Sequence, residues 1–434
     1  MANAKVPAIG GFASLGKKLL ITFGLLCVYR VGIYIPVPGT DLYALAEFID
    51  TLKDTVFGLF NMFSGGALER LSVLTLGIVP YISASIVMQL LQVLVPSLQQ
   101  LSKEEGSSGK RKISQYTRYL TLVLTFIQGY GIAVGLESMT SPNGTAIVLE
   151  PGLSFRLVTS LTLCAGTMFV MWIGERISEY GIGNGISLII FAGIVTGLPR
   201  ALVQLFTLYN ADTLGIITVL GLIIFIALVV LGVVFFERAL RKVPIHYAKR
   251  QVGAKVYGGE STHLPLKLNI AGVIPPIFAS SLLLFPATLE TFSDMPWLQE
   301  IARFFSPSTV LYNVVFVLLI IFFSYFYTAI LFNPKELAEN LRKSGAFVPS
   351  IRPGEKTEEY FNGVISRLTL WGALYLSAIC VLPVILVEEL QLPLYFGGTS
   401  LLIVVGVAMD FMSQIESHII TQQYSSLMKN KRNA

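Results

Sequence analysis

The 434 residues are 54% hydrophobic and only 13% charged, with a formal net charge of +5, whereas a soluble domain carries about 25% charged residues. So little polar surface cannot clothe a globule in water, and apolar runs of the roughly 20 residues that cross a bilayer as a helix follow one another along the chain. The basic excess sits in connections between those runs, which argues for membrane orientation before nucleic-acid binding. Cys27, Cys164 and Cys380 lie inside apolar runs, without the spacing of a metal site or disulfide framework.

Lys17 and Lys18 precede the first run, Leu19 to Ile35, which leads into Pro36 and Pro38 without a cleavage pattern and reads as a retained membrane helix. Breaks at charge, proline and glycine place ten spans, at about 19–38, 71–95, 119–136, 155–173, 185–205, 214–236, 270–289, 309–332, 368–387 and 394–418. The expected fold is an all-α integral membrane protein with ten transmembrane helices. Between the first two spans, Phe57, Leu59, Phe60, Met62 and Phe63 run into Ser64-Gly65-Gly66 and then Ala67 to Arg70. That stretch is too short to span and reads either as a re-entrant, broken helix or as an interfacial one. The re-entrant reading implies a cavity in the bundle, because irregular backbone at membrane depth must be buried in protein or line water.

With the amino terminus cytoplasmic, 25 basic residues fall on the cytoplasmic side against four outside, and Arg30 and Arg70 lie at membrane depth. This predicts both termini in the cytoplasm. Two cytoplasmic loops are long, about 237–269 and 333–367, and carry Arg241, Lys242, Lys249, Arg250, Lys255, Arg342, Lys343 and Arg352. Orientation needs only a few charges, so their length suggests a docking surface for a cytosolic partner.

No HExxH helix, GxSxG elbow or P-loop is present, and His246, His263 and His418 do not cluster, which argues against an intramembrane enzyme. Arg30 and Asp410 are the clearest lone charges inside spans, and either serve function or pair structurally. A small-solute transporter is the competing reading, but acidic or histidine coupling sites at mid-membrane are nearly absent, which favours a passive conduit.

Several segments resemble the SecY family, the central subunit of the bacterial Sec translocon. They are Phe60-Asn61-Met62-Phe63-Ser64-Gly65-Gly66-Ala67-Leu68, Gly77-Ile78-Val79-Pro80-Tyr81-Ile82-Ser83-Ala84-Ser85, Gly109-Lys110-Arg111-Lys112-Ile113-Ser114-Gln115-Tyr116-Thr117-Arg118-Tyr119 and Gly181-Ile182-Gly183-Asn184-Gly185-Ile186-Ser187. Ser261-Thr262-His263-Leu264-Pro265-Leu266-Lys267, Gly345-Ala346-Phe347-Val348-Pro349 and Phe396-Gly397-Gly398-Thr399-Ser400 follow in family order.

The resemblance implies a channel that conducts unfolded polypeptides across the bacterial plasma (inner) membrane and releases hydrophobic segments into lipid, with no catalysis, metal or cofactor of its own. It implies two pseudo-symmetric five-helix halves, 19–205 and 206–418, flanked by cytoplasmic segments 1–18 and 419–434. The stretch at about 57–70 then corresponds to a plug, including Phe60, Asn61, Met62, Phe63, Ser64, Gly65, Gly66 and Arg70. The implied pore ring is Ile78, Ile82, Ile186, Ile190, Ile277 and Ile403; two of its pairs are spaced i,i+4 and share a helix face. Lateral-gate candidates are Ser83, Gln89 and Gln92 on the second span, and Ser280, Ser281 and Phe285 on the seventh. Implied partners are SecE, SecG, the SecA motor ATPase, the translating ribosome, signal sequences with their precursors, and the lipid bilayer. Arg352, in Ile351-Arg352-Pro353-Gly354-Glu355, matches the family's motor-engaging site. The chain departs from the family at Ala254, where a basic residue is frequent, and this weakens the expected contact near Lys255.

Overall fold

A computed structural model describes residues 9–41, 43–45, 64–104, 106–138, 145–211, 215–247, 250–252, 255–257, 261–290, 309–389 and 398–432. Its helices are α1 (Ile9–Gly32), α2 (Val79–Leu94), α3 (Pro96–Glu104), α4 (Gly106–Ser138), α5 (Leu153–Tyr180), α6 (Gly185–Val195) and α7 (Leu198–Asn210). They continue with α8 (Ile216–Arg238), α9 (Ile274–Glu290), α10 (Val310–Leu331), α11 (Pro334–Lys343), α12 (Glu355–Glu389) and α13 (Gly398–Arg432). The ten expected spans correspond to α1, α2, α4, α5, α6 with α7, α8, α9, α10, α12 and α13. Six helices (α4, α5, α8, α10, α12 and α13) contain segments long and apolar enough to cross a membrane, while α2, α6 and the start of α9 are shorter apolar helices.

Helices α1, α4, α12 and α13 run ten or more residues beyond one end of the expected spans, and two other spans are shortened or broken for local reasons. The second begins as a helix at Val79, eight residues late, because Leu71 (φ 37°) and Gly77 (φ 53°) are left-handed and cannot continue a helix. The backbone before it pairs instead with the end of the first span: the Val37 N–H donates to the Leu71 carbonyl and the Val73 N–H to the Ile35 carbonyl, both at 2.9 Å. The fifth span breaks after Val195 and restarts at Leu198, with Pro199 in the first turn of α7, where its missing N–H has no helical partner to lose. At its other end the Asn184 Oδ1 caps α6 by accepting from the Ile186 N–H at 3.1 Å.

The long loops contain a sheet that their basic composition concealed. Strand β1 (Leu240–Tyr247) pairs antiparallel with β4 (Ser261–Lys267), Leu240 opposite Lys267 and His246 opposite Ser261. On its other edge β1 pairs with β5 (Ala346–Phe347), so residues from both long loops build one sheet and both loops lie at the same end of the bundle. Strands β2 (Arg250–Val252) and β3 (Lys255–Tyr257) form a separate two-stranded ribbon. Val243 and Ile245 alternate inward along β1, and Val243 joins Leu266, Val348, Phe361 and Ile365 in a small satellite core. The sheet is thus a packed extension of α12.

Candidate functional site

Helices α2, α6, α9 and α13 each contribute to the main apolar core, which also takes residues from α1, α4, α5, α10 and α12. Ile78 and Ile82 come from the start of α2, Ile190 from α6, Ile277 from α9 and Ile403 from α13; all are buried in that cluster, and half-buried Ile186 packs against it. These branched side chains, stiff at χ1, offer no hydrogen-bonding group. Ile186 also borders an open groove whose lining includes charged and polar side chains. A cavity of about 710 Å³ opens between α2, α4, α5 and α13, lined by Tyr81, Ser114, Arg118, Glu175, Asn184 and Gln414. Arg118 holds Glu175 through two nitrogens, Nε at 3.0 Å and Nη2 at 2.8 Å, which ties α4 to α5 along that wall.

Helices α2 and α9 pack directly on each other. Ser280 and Ser281 are buried there and Ser83, Gln89 and Gln92 are half-buried; Phe285 lies in α9. Two of the polar groups on this seam bond within their own helices. Ser280 Oγ donates to the Ile277 carbonyl at 2.9 Å and Gln89 Nε2 to Ser85 Oγ at 3.3 Å. Gln89 Oε1 is buried without a hydrogen-bond partner among the described residues.

A sequence profile of the SecY family matches residues 72–412. The chain is 52% identical to the protein translocase subunit SecY of Pseudomonas aeruginosa, over 97% of this chain and 94% of that one. It is 50% identical to the subunit of the same name from Escherichia coli K12, over 97% and 96%. The chain belongs to the SecY family. Its fold is similar to a solved protein-conducting channel at a TM-score of 0.65 and 17% identity, covering 97% of this chain and 96% of that one. It is similar as well to Sec61 in a canine ribosome–channel complex, at a TM-score of 0.63 and 17% identity, covering 97% and 96%. This SecY-family chain is a multi-pass membrane protein.

Of the plug residues named from the family, Phe60, Asn61, Met62 and Phe63 lie outside the described residues. Ser64, Gly65 and Gly66 are held against α1 and α6. Arg30 Nη1 donates to the Gly65 carbonyl at 2.7 Å and Tyr29 Oη to the Ser64 carbonyl at 3.3 Å. Gly65 has φ +69°, and a Cβ there would stand 2.9 Å from Gly193 Cα on α6. Arg70 lies 4.1 Å over the ring of Tyr34, a cation–π contact beside the same α1 terminus. Arg30 thus links this segment to α1 through its hydrogen bond to Gly65.

Of the docking residues, Arg241 and Lys242 are exposed on β1, and Arg342, Lys343 and Arg352 are exposed around α11 and the turn into α12. Arg250 and Lys255 fall on β2 and β3, while Lys249 lies outside the described residues. The Arg352 turn is shaped by Ser350 (φ 66°) and Gly354 (φ 107°), and its carbonyl accepts from Thr357 Oγ1 at 2.9 Å. Sequence reading missed Tyr29, Gly193, and the pair Glu237 and Asn269. Only Gly193 carried a signal: Gly193 and Gly197 are spaced as small residues that admit close backbone approach between membrane segments.

Proposed function

We propose that the isoleucine cluster is the constriction through which this chain conducts unfolded polypeptides, and that hydrophobic segments leave sideways between α2 and α9. The chain is the central channel subunit of the Sec translocon. One observation supports the reading: five of the six isoleucines, from four helices, lie in the same buried apolar core, the sixth packs against it, and Ile186 also borders an open groove carrying Arg118, Glu175 and Gln414. A small-solute transporter would instead enclose its polar site at the midplane. Apolar walls shut the resting path by excluding water, yet accept any side chain in an unfolded peptide. At the seam, the side-chain hydrogen bonds given by Ser280 and Gln89 stay within their own helices, which lets a signal helix compete by apolar packing.

Residues Ser64 to Arg70 are the described end of a plug that closes the outer funnel. Division into halves 19–205 and 206–418 is supported by the packing of α4 on α5 and α2 within the first and of α10 on α9 and α12 within the second, with α2–α9 and α6–α13 meeting across the divide. The bias of basic residues supports a bacterial inner membrane protein with both termini cytoplasmic. The sheet and the Arg352 turn then face the cytosol, where SecA or the translating ribosome docks; SecE and SecG complete the channel. Arginines on such a surface pair with motor carboxylates or ribosomal RNA phosphates.

Reversing the charge of Arg352 tests the docking assignment. With Arg352→Glu, SecA-driven export is expected to fall about tenfold or more, since a lost charge-assisted contact costs about 1.5–3 kcal/mol and each 1.4 kcal/mol is tenfold. The measurement is ATP-dependent protection of a precursor in proteoliposomes. Export at the unaltered rate would remove Arg352 from the docking surface.

A further inference from the structure

At the base of α9 the chain makes a turn around the buried Asn269 whose side-chain bonds go to the end of α8 and to the turn itself. Asn269 is 4% exposed, at the junction between β4 and α9. Its Nδ2 donates to Glu237 Oε1, at the end of α8, at 2.7 Å, and to the Gly272 carbonyl at 3.1 Å. Its Oδ1 accepts from the Gly272 N–H at 3.1 Å, and Gly272 takes φ +64° to close the turn. With both donors and the acceptor committed, the amide orientation is determined by the network. The Leu268 N–H donates to the Ala239 carbonyl at 2.9 Å. A Cβ on Gly372 of α12 would stand 3.1 Å from the Leu268 carbonyl, so α12 closes on the same turn from another side. A cavity of about 230 Å³ opens beside it, lined by Glu237, Lys267, Asn269, Asp410, Gln414 and Asn184. Gln414 Oε1 accepts from the Gly183 N–H across this cavity at 2.9 Å, so the pocket sits where the α5–α6 turn meets α8, α9 and α13.

The turn at the base of α9 is thus hydrogen-bonded to α8, while on its seam with α2 Ser280 and Gln89 donate within their own helices. We propose that the Glu237–Asn269 clamp is the fixed pivot of α9: when the seam parts, α9 swings about this turn while its base stays on α8. The proposal rests on the reading of α2 and α9 as the exit seam. It assigns Asn269 and Glu237 as positioning residues, and it gives a half-buried carboxylate at the membrane boundary a defined partner. Removing Asn269 leaves that carboxylate without its donor and frees the base to follow the swing, so the closed arrangement becomes less well determined.

Spin-label distances test the pivot directly, in the chain reconstituted with SecE and with its three cysteines replaced by Ala. One label pair, at the exposed positions Val87 and Leu282, spans the seam; a second, at Phe235 and Lys267, spans the base. Arresting a precursor in the channel is expected to lengthen the seam pair by more than about 2 Å while the base pair holds within about 1 Å. A base pair that moves as far as the seam pair overturns the pivot. A seam pair that does not move with precursor arrested overturns the seam reading beneath it, so the two failures are distinguishable. Two variants add a functional readout. Asn269→Ala is expected to raise export of a precursor with a weakened signal about tenfold relative to an intact one, a shift of about 1.4 kcal/mol. Glu237→Gln, whose amide oxygen still accepts from Asn269, is expected to leave that ratio near the unaltered value. An unchanged ratio in Asn269→Ala, at normal amounts in the membrane, contradicts the proposal.

Discussion

Ile190→Asn is expected to turn the resting channel into an ion leak, raising single-channel conductance in planar bilayers about tenfold or more. On the proposed reading the isoleucines hold ions back because an ion entering among them loses its water and gains no ligand, a desolvation cost of several kcal/mol. An amide admits water into the waist, and a barrier lowered by only 1.4 kcal/mol is already a tenfold change. Ile82→Asn should act alike, since Ile82 is buried in the same cluster from α2. Ile190→Leu keeps the waist apolar and should leak little. Ile223→Asn supplies the control, because Ile223 sits exposed on α8, a helix with only 11% of its apolar window buried. Equal conductance for the Ile190 and Ile223 variants would remove the cluster from the conduction path.

The second large effect is expected at Gly65. Gly65→Val forces a β-branched residue into φ +69° and sets its Cβ 2.9 Å from Gly193 Cα, a backbone atom that cannot rotate away. The left-handed conformation alone costs on the order of 1–3 kcal/mol, and the contact adds displacement of α6. Gly66 separates the two contributions, since it has φ +85° but nothing within 4 Å of a built Cβ. Unfolding in detergent should therefore rank Gly65→Val as most destabilised, Gly66→Val as intermediate and the unaltered chain as most stable. Arg30→Gln, which loses the charged donor to the Gly65 carbonyl, should cost about 1.5–3 kcal/mol. Equal losses for Gly65→Val and Gly66→Val would show that the approach of Gly65 to α6 does not govern stability.

Much of this architecture is legible in the sequence, because the bilayer imposes a single length scale on apolar runs. The spans read at 214–236 and 309–332 lie within two residues of α8 and α10. Where tertiary contacts overrule length, the reading fails. The apolar stretch 71–78 resembles the start of a span, yet its backbone pairs with residues 35–37 through two left-handed residues that hydropathy does not report. The break after Val195 was written in Gly197 and Pro199, but their effect on a continuous apolar run is local and hydropathy averages over it. The sheet was hidden differently. In Leu240-Arg241-Lys242-Val243-Pro244-Ile245 the basic residues dominate composition, while only Val243 and Ile245 carry the inward alternation.

The candidate site divides along the same line. The isoleucines were named through family resemblance, since an isoleucine in an apolar span carries no local mark distinguishing pore from lipid; the structure gathers them into one cluster. The clamp of Asn269 and Glu237 was invisible because its partners stand 32 residues apart at an unmarked helix end. Arg30 was conspicuous as an intramembrane charge, but its partner is a backbone carbonyl, which sequence cannot name.

The measurement that tests the central claim most directly is ATP-dependent import of a signal-bearing precursor into liposomes containing this chain with SecE, in the presence and absence of SecA. The account predicts protease-protected precursor only when both the chain and SecA are present. No protection, with the chain verified as inserted and a SecA from the same organism supplied, would contradict it.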